Sequence, residues 1–190
     1  MRKLLLASES PRRRELIGLL GRDVTCTSVS LVEPMDDLET PEEIVMALSF
    51  EKAWKAAQDP KWEDYVIIGS DTIVCLEGKK LGKPENETEA HKMLMLLSGR
   101  KHQVYTGLCI LCPALNLKLV DYSVTNVEMG PYSAQRALSY VQTGEVFGKA
   151  GAYAIQGLGA TLVKAIDGDF FTVVGLPVYL LGQLLEQHSL

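Results

Sequence analysis

Leu4-Leu5-Leu6-Ala7-Ser8-Glu9-Ser10-Pro11-Arg12-Arg13-Arg14-Glu15-Leu16 joins a buried strand to the first turn of a helix. The apolar run stops at two hydroxyl residues. Pro11 then takes the first helical position, with Ser10 as N-cap. Three arginines follow. The unpaired N–H groups of a first turn carry partial positive charge, so each arginine there opposes the macrodipole by roughly 0.3–1 kcal/mol. An outside anion over the turn reverses that balance, because backbone N–H groups, the hydroxyls of Ser8 and Ser10 and guanidinium forks would converge on phosphate. Three successive helical residues spread over about 200°, so the arginines cannot all face one ligand, and Arg14 is expected to point to solvent. Read without a ligand, the same residues make a strand, a cap and a solvated basic turn.

Outward from this segment, a helix is expected over 11–20 with Leu16, Ile17, Leu19 and Leu20 inside and Gly21 as its stop. A short strand over 23–30 leads into an acidic loop over 31–39. Thr40-Pro41-Glu42-Glu43 is a capping box with proline at N1, opening a helix to about Gln58. Lys52 lies one turn from both Leu48 and Ala56, so it either snorkels outward or reaches a pocket. Tyr65–Ile68 reads as a buried strand that breaks at Gly69-Ser70-Asp71-Thr72 before Ile73–Leu76 resumes. An aspartate inside such a run is costly unless something holds its charge.

Helices are expected over 88–97, 133–141 and from Gly175-Leu176-Pro177 to about Gln187. Strands over 104–112 and 118–127 read as antiparallel partners, and those over 160–166 and 170–174 as a hairpin around Asp167-Gly168-Asp169. The loop over 143–159, with glycine at 144, 148, 151, 157 and 159, suits either a wall against a ligand or a loose connection. Strands and helices interleave with hairpins among them, so the fold class is α/β with a mixed sheet.

The chain of 190 residues is long enough for a real core and is expected to be one domain, 1–190, or one domain in two lobes. A net charge of −5 argues against a general nucleic-acid binder. No apolar run approaches the roughly 20 residues that span a bilayer. Met1–Ala7 imitates the start of a signal peptide, but Glu9 and Arg12–Arg14 follow too soon, so a cytoplasmic protein without a membrane partner is expected. Cys26, Cys75, Cys109 and Cys112 read as buried reduced thiols. Cys109 and Cys112 have redox or zinc spacing, but a strand turns them to opposite faces. His91, His102 and His188 show no nucleophile or metal spacing.

Taken together, the motifs resemble those of the Maf-like nucleoside triphosphate pyrophosphatases. The matching pieces are Leu6-Ala7-Ser8-Glu9-Ser10-Pro11-Arg12-Arg13, Val32-Glu33, Glu51-Lys52-Ala53, Gly69-Ser70-Asp71-Thr72, Leu81-Gly82-Lys83-Pro84, Leu97-Ser98-Gly99, Lys149-Ala150-Gly151-Ala152-Tyr153, Ile155-Gln156-Gly157 and Val174-Gly175-Leu176-Pro177. They span nearly the whole chain in the family's order.

The resemblance implies an elongated, twisted mixed sheet with flanking helices, in two lobes around a cleft, as in the inosine triphosphate pyrophosphatases. It implies cleavage of a nucleoside triphosphate between the α and β phosphates, a divalent metal (Mg²⁺ or Mn²⁺) and a homodimer. Arg12, Thr72 and Gln156 resemble the dTTP/UTP branch. The branch acting on 7-methyl-GTP has tryptophan, glutamine and glutamate in their places. A nucleotide-binding regulator of septum formation is the alternative from a different class.

Phosphoanhydride hydrolysis requires masked negative charge, an aimed water and a stabilised leaving group. Glu33 and Asp71 are the expected metal carboxylates, and Asp71 is also expected to take a proton from the attacking water. Ser8, Arg13, Lys52 and Lys83 are the candidate phosphate ligands, with Lys83 held extended by Pro84. Gln156 suits a pyrimidine edge, since uracil and thymine present acceptor, donor, acceptor and a carboxamide supplies both a donor and an acceptor. Two departures from the family pattern are Gly148 before Lys149 and Pro34 after Glu33, where acidic residues are common.

Overall fold

The computed structural model describes residues 2–29, 31 and 40–190. Strands and helices follow in the order β1 (Leu4–Ala7), α1 (Pro11–Gly18), β2 (Val24–Thr27), α2 (Pro41–Ala57), β3 (Val66–Leu76), β4 (Lys79–Leu81), α3 (Glu87–Leu97), β5 (Lys101–Cys112), β6 (Leu117–Met129), α4 (Ala134–Val141), β7 (Val163–Asp167), α5 (Phe170–Val174) and α6 (Val178–Gln187). Among the described residues, seven strands form one sheet in the order β2-β1-β3-β5-β6-β7, with β4 also on β3. β1 pairs in parallel with β2 and β3, whereas β3–β4 and β6–β7 are antiparallel, so the sheet is mixed. Helices flank it, as expected of an α/β chain.

The chain divides into two compact units, Met1–Asp71 with Thr106–Ser123 and Gly175–Leu190, and Thr72–Tyr105 with Val124–Val174. In the first unit, Leu5, Ala7 and Ile67 of the parallel strands pack with Ala53 and Ala56 of α2 and with Cys109 and Leu111 of β5. α2 begins in the capping box read from the sequence, with the Thr40 and Glu43 side chains each bonded to the other's backbone N–H.

The closeness of α2 to the sheet comes from two strand glycines. A Cβ at Gly69 would stand 2.1 Å from the carbonyl oxygen of Ser49, and one at Gly107 would stand 2.0 Å from that of Val45. Val45, Ser49 and Ala53 recur every four residues, so a single helix face lies with its backbone against both glycines.

In the second unit, Val74, Leu76, Leu94, Leu97, Val104, Val127, Met129, Tyr140 and Leu162 form the core. His102 is buried in it, with Nε2 2.7 Å from the Tyr153 hydroxyl. Its Nδ1 is buried, with no hydrogen-bond partner among the described residues. Burial pushes the imidazole down to about 4, so the ring is neutral at physiological pH.

Several expectations are corrected. β3 runs unbroken from Val66 to Leu76, with no break at Gly69–Thr72. The Phe170–Val174 segment is helix α5 rather than a hairpin strand. The second aspartate of Asp167-Gly168-Asp169 is a helix cap: its carboxylate accepts from the N–H groups of Phe171 and Thr172 and from the Thr172 hydroxyl. Residues Gly157–Leu162 form a 3-10 helix before β7, where a strand from Ala160 was expected. Leu19 is 60% exposed, because α1 ends at Gly18 and its apolar face does not continue. Cys75, Cys109 and Cys112 are buried, as expected, but Cys26 is exposed on the short outer strand β2.

Candidate active site

In the first unit the candidate residues Ser8, Arg13, Lys52 and Asp71 lie where β1 ends and β3 continues. Ala7 pairs with Gly69, so Ser8 and Ser70 are the next residues beyond the last pair of a parallel ladder. Carboxyl ends of parallel strands are where open α/β sheets bind ligands. Ser8 is 4% exposed, and its hydroxyl accepts from the N–H of Ser10. Ser10 in turn caps α1 by accepting from the N–H of Arg13. The Arg13 Nε donates to the Gly175 carbonyl at 2.6 Å, and the Ser70 hydroxyl donates to the same oxygen at 3.0 Å. That one carbonyl therefore ties the α1 turn, β3 and the Gly175-Leu176-Pro177 segment together. Arg12 is half-buried, while Arg14 is exposed with its guanidinium turned back to within 3.5 Å of the Ser8 carbonyl.

Asp71, the residue after Ser70, is 4% exposed in the middle of a strand. The cost noted in the sequence is met by Lys52 of α2, whose Nζ forms an ion pair with Asp71 Oδ1. Of the two destinations open to Lys52, the structure selects the buried one. The two glycines seat α2 with its backbone against the sheet, and from there Lys52 reaches Asp71 on β3.

The second unit holds Thr72, Lys83 and Gln156. Thr72 follows Asp71 on β3 and is half-buried. Lys83 is exposed beside buried Pro84, and the neighbouring Gly82 carbonyl accepts from the N–H of Gly151 at 3.0 Å. Two motif pieces far apart in sequence are thus bonded to each other. Gln156 is half-buried in a loop whose backbone is held by Glu145 and Tyr140. Partial burial works against the charged form of Glu145. The N–H groups of Gly159 and Leu158, the Tyr140 hydroxyl and the charge of Lys149 outweigh it and hold the carboxyl below its ordinary range.

Glu33 and Pro34 lie outside the described residues, and with them the expected metal role of Glu33. Among the described residues, no group of three or more His, Cys, Asp or Glu side chains is placed to hold a metal ion. Asp71 is a hard oxygen donor. One or two carboxylates suit Mg²⁺, which takes its remaining ligands from water and substrate phosphate. The residues present fit such an ion. Ser70, Gly107, Glu145 and Tyr140 were not singled out in the sequence. An isolated glycine inside an apolar strand such as Gly107 is a signal of close backbone approach.

No helix among the described residues is long and apolar enough to cross a membrane. The fold is that of an α/β protein of the Ham1 kind. The structure of Staphylococcus aureus Ham1 matches with a TM-score of 0.57 at 14% identity, covering 98% of this chain and 100% of that one. A Ham1 protein from Coxiella burnetii matches at 0.58 and 14%, with the same coverage. The chain belongs to the Maf-like protein family, which matches residues 3–188. A dTTP/UTP pyrophosphatase of Clostridioides difficile (strain 630) is 43% identical over 185 residues, 97% of this chain and 94% of the relative. One from Thermoanaerobacter sp. (strain X514) is 45% identical over 186 residues, 98% of this chain and 96% of the relative.

Proposed function

We infer that this chain is a nucleoside triphosphate pyrophosphatase that hydrolyses dTTP and UTP to the monophosphate and pyrophosphate. Full-length relatives at 43% and 45% identity bear that name. The observation that carries the chemistry is the buried Lys52–Asp71 pair beyond the end of β1, beside the Ser8–Ser10–Arg13 turn. A cation for phosphate and a carboxylate for water stand side by side there.

Arg13, Lys52 and Lys83, with the Ser8 hydroxyl, bind the triphosphate. The α1 first turn adds N–H groups, and the anion relieves the repulsion that its arginines otherwise suffer. Asp71 takes the proton of the attacking water, a role that suits a carboxylate shielded from bulk solvent. Arg12, Thr72 and Gln156 read the base, Gln156 by offering one donor and one acceptor to the pyrimidine edge. Asp71 and Glu33 would hold a divalent cation, which supplies charge neutralisation on the phosphates when bound.

The test is pyrophosphate release from a panel of nucleoside triphosphates, ordinary and modified, with Mg²⁺ or Mn²⁺. Turnover of dTTP and UTP well above the purine nucleotides is expected. Binding without turnover would make the chain a nucleotide-responsive regulator instead.

A further inference from the structure

The loop that carries Gln156 is pinned by two side chains to which no role has been given. Tyr140, in the last turn of α4, donates its hydroxyl to Glu145 Oε1 at 2.9 Å. The same hydroxyl oxygen accepts from the N–H of Ala154 at 3.1 Å. Glu145 accepts from the N–H of Leu158 through Oε2 at 3.0 Å and from the N–H of Gly159 through Oε1 at 3.1 Å. The chain is therefore held two residues before Gln156 and two and three residues after it, by one hydroxyl and one carboxylate that are bonded to each other.

The carboxylate is itself anchored. Its own backbone N–H donates to the Thr143 hydroxyl, which donates back to the Tyr140 carbonyl. The packing leaves no slack. A Cβ at Gly157, where φ is +67°, would stand 2.8 Å from Glu145 Oε2, and one at Gly159 would stand 2.6 Å from the Tyr140 hydroxyl oxygen.

We propose that Glu145 and Tyr140 are the positioning pair for Gln156 and so set the preference for uracil or thymine over cytosine. The inference rests on the pyrophosphatase reading and on Gln156 as base reader. Gly157 and Leu158 are exposed, Gln156 lies just before the short 3-10 helix Gly157–Leu162, and no side-chain cap bond from Gln156 fixes that helix start. Base discrimination by a carboxamide needs that amide within about 0.5 Å of its productive place. Three charge-assisted bonds onto one carboxylate supply the missing rigidity.

The experiment measures kcat and KM for UTP and CTP with the full chain, Gln156→Ala, Glu145→Gln and Tyr140→Phe. In Glu145→Gln the carboxamide must turn its NH₂ toward one of the two backbone N–H groups, so at least one bond is lost. The expected result is a fall of roughly tenfold in the UTP-to-CTP ratio of kcat/KM, carried mainly by KM for UTP, since misplacements of about 1 Å cost on the order of a hundredfold. Tyr140→Phe should fall in the same direction by a smaller factor.

A purely structural role would reduce the active fraction for both nucleotides alike and leave the ratio where it was. A ratio within twofold of the parent in both variants, with Gln156→Ala discriminating poorly, overturns the positioning role and leaves the pyrophosphatase reading intact. A parent chain that turns over neither nucleotide overturns both.

Discussion

Replacing Lys52 by methionine removes one half of an ion pair whose side chains are 10% and 6% exposed. Methionine keeps the apolar stem, so little packing is lost and the change is chiefly electrostatic. What remains is a carboxylate buried in the middle of β3 without its counter-charge. Breaking a buried pair in this way costs about 3–5 kcal/mol, a large part of the about 5–15 kcal/mol that holds a domain together. With a urea dependence of about 2 kcal/mol per molar, the midpoint should fall by roughly 1.5–2.5 M.

The assay is built into the chain. Both tryptophans, Trp54 and Trp62, belong to the first unit, so their fluorescence reports the unit that contains the pair. Lys52→Met with Asp71→Leu replaces the whole pair by apolar groups and should return to within about 1 kcal/mol of the parent, while turning over no dTTP. A single variant as stable as the parent would refute the argument, because Asp71 would then be solvated and Lys52 would not be holding it.

Three further outcomes follow from the geometry. Gly69→Ala puts a Cβ 2.1 Å from the Ser49 carbonyl and should destabilise the chain by about 3 kcal/mol and displace Lys52 from Asp71. Gly18→Ala meets nothing within 4 Å and should be neutral or stabilising by up to about 1 kcal/mol, both read by urea unfolding. For His102, the folded pKa of about 4 lies below the ordinary 6.5, so between those values the unfolded chain binds a proton that the folded chain does not. Stability is therefore full above pH 6.5 and falls on acidification, by about 2 kcal/mol at pH 5; His102→Phe should remove that part of the slope in unfolding curves at pH 7 and pH 5.

What was legible in the sequence is local chemistry. Ser10 and Pro11 opening α1, the capping box at Thr40 and the apolar strands β1 and β3 all declare themselves within a few residues. What was not legible depends on partners distant in the chain. Asp71 suggested a strand break because its cost was visible and its remedy, a lysine on α2, was not. Phe170–Val174 has the composition of a strand, and only the way the Asp169 carboxylate turns onto the next N–H groups makes it a helix. Gly107 drew no reading from the sequence, because the Val45 backbone that lies against it comes from a helix far earlier in the chain. The candidate residues Ser8, Arg13, Lys52 and Asp71 were singled out by type and motif. Their convergence in the first unit arises from the Ala7–Gly69 register and the seat of α2, neither of which has a local signature.

The most direct test is pyrophosphate release from dTTP by Asp71→Asn, with tryptophan fluorescence confirming that the first unit is folded. The carboxamide fills the same space beside Lys52 but cannot accept the proton of water, so turnover should fall by about 10²–10⁴-fold while nucleotide binding persists. A folded Asp71→Asn variant that hydrolyses dTTP at the parent rate would contradict the account.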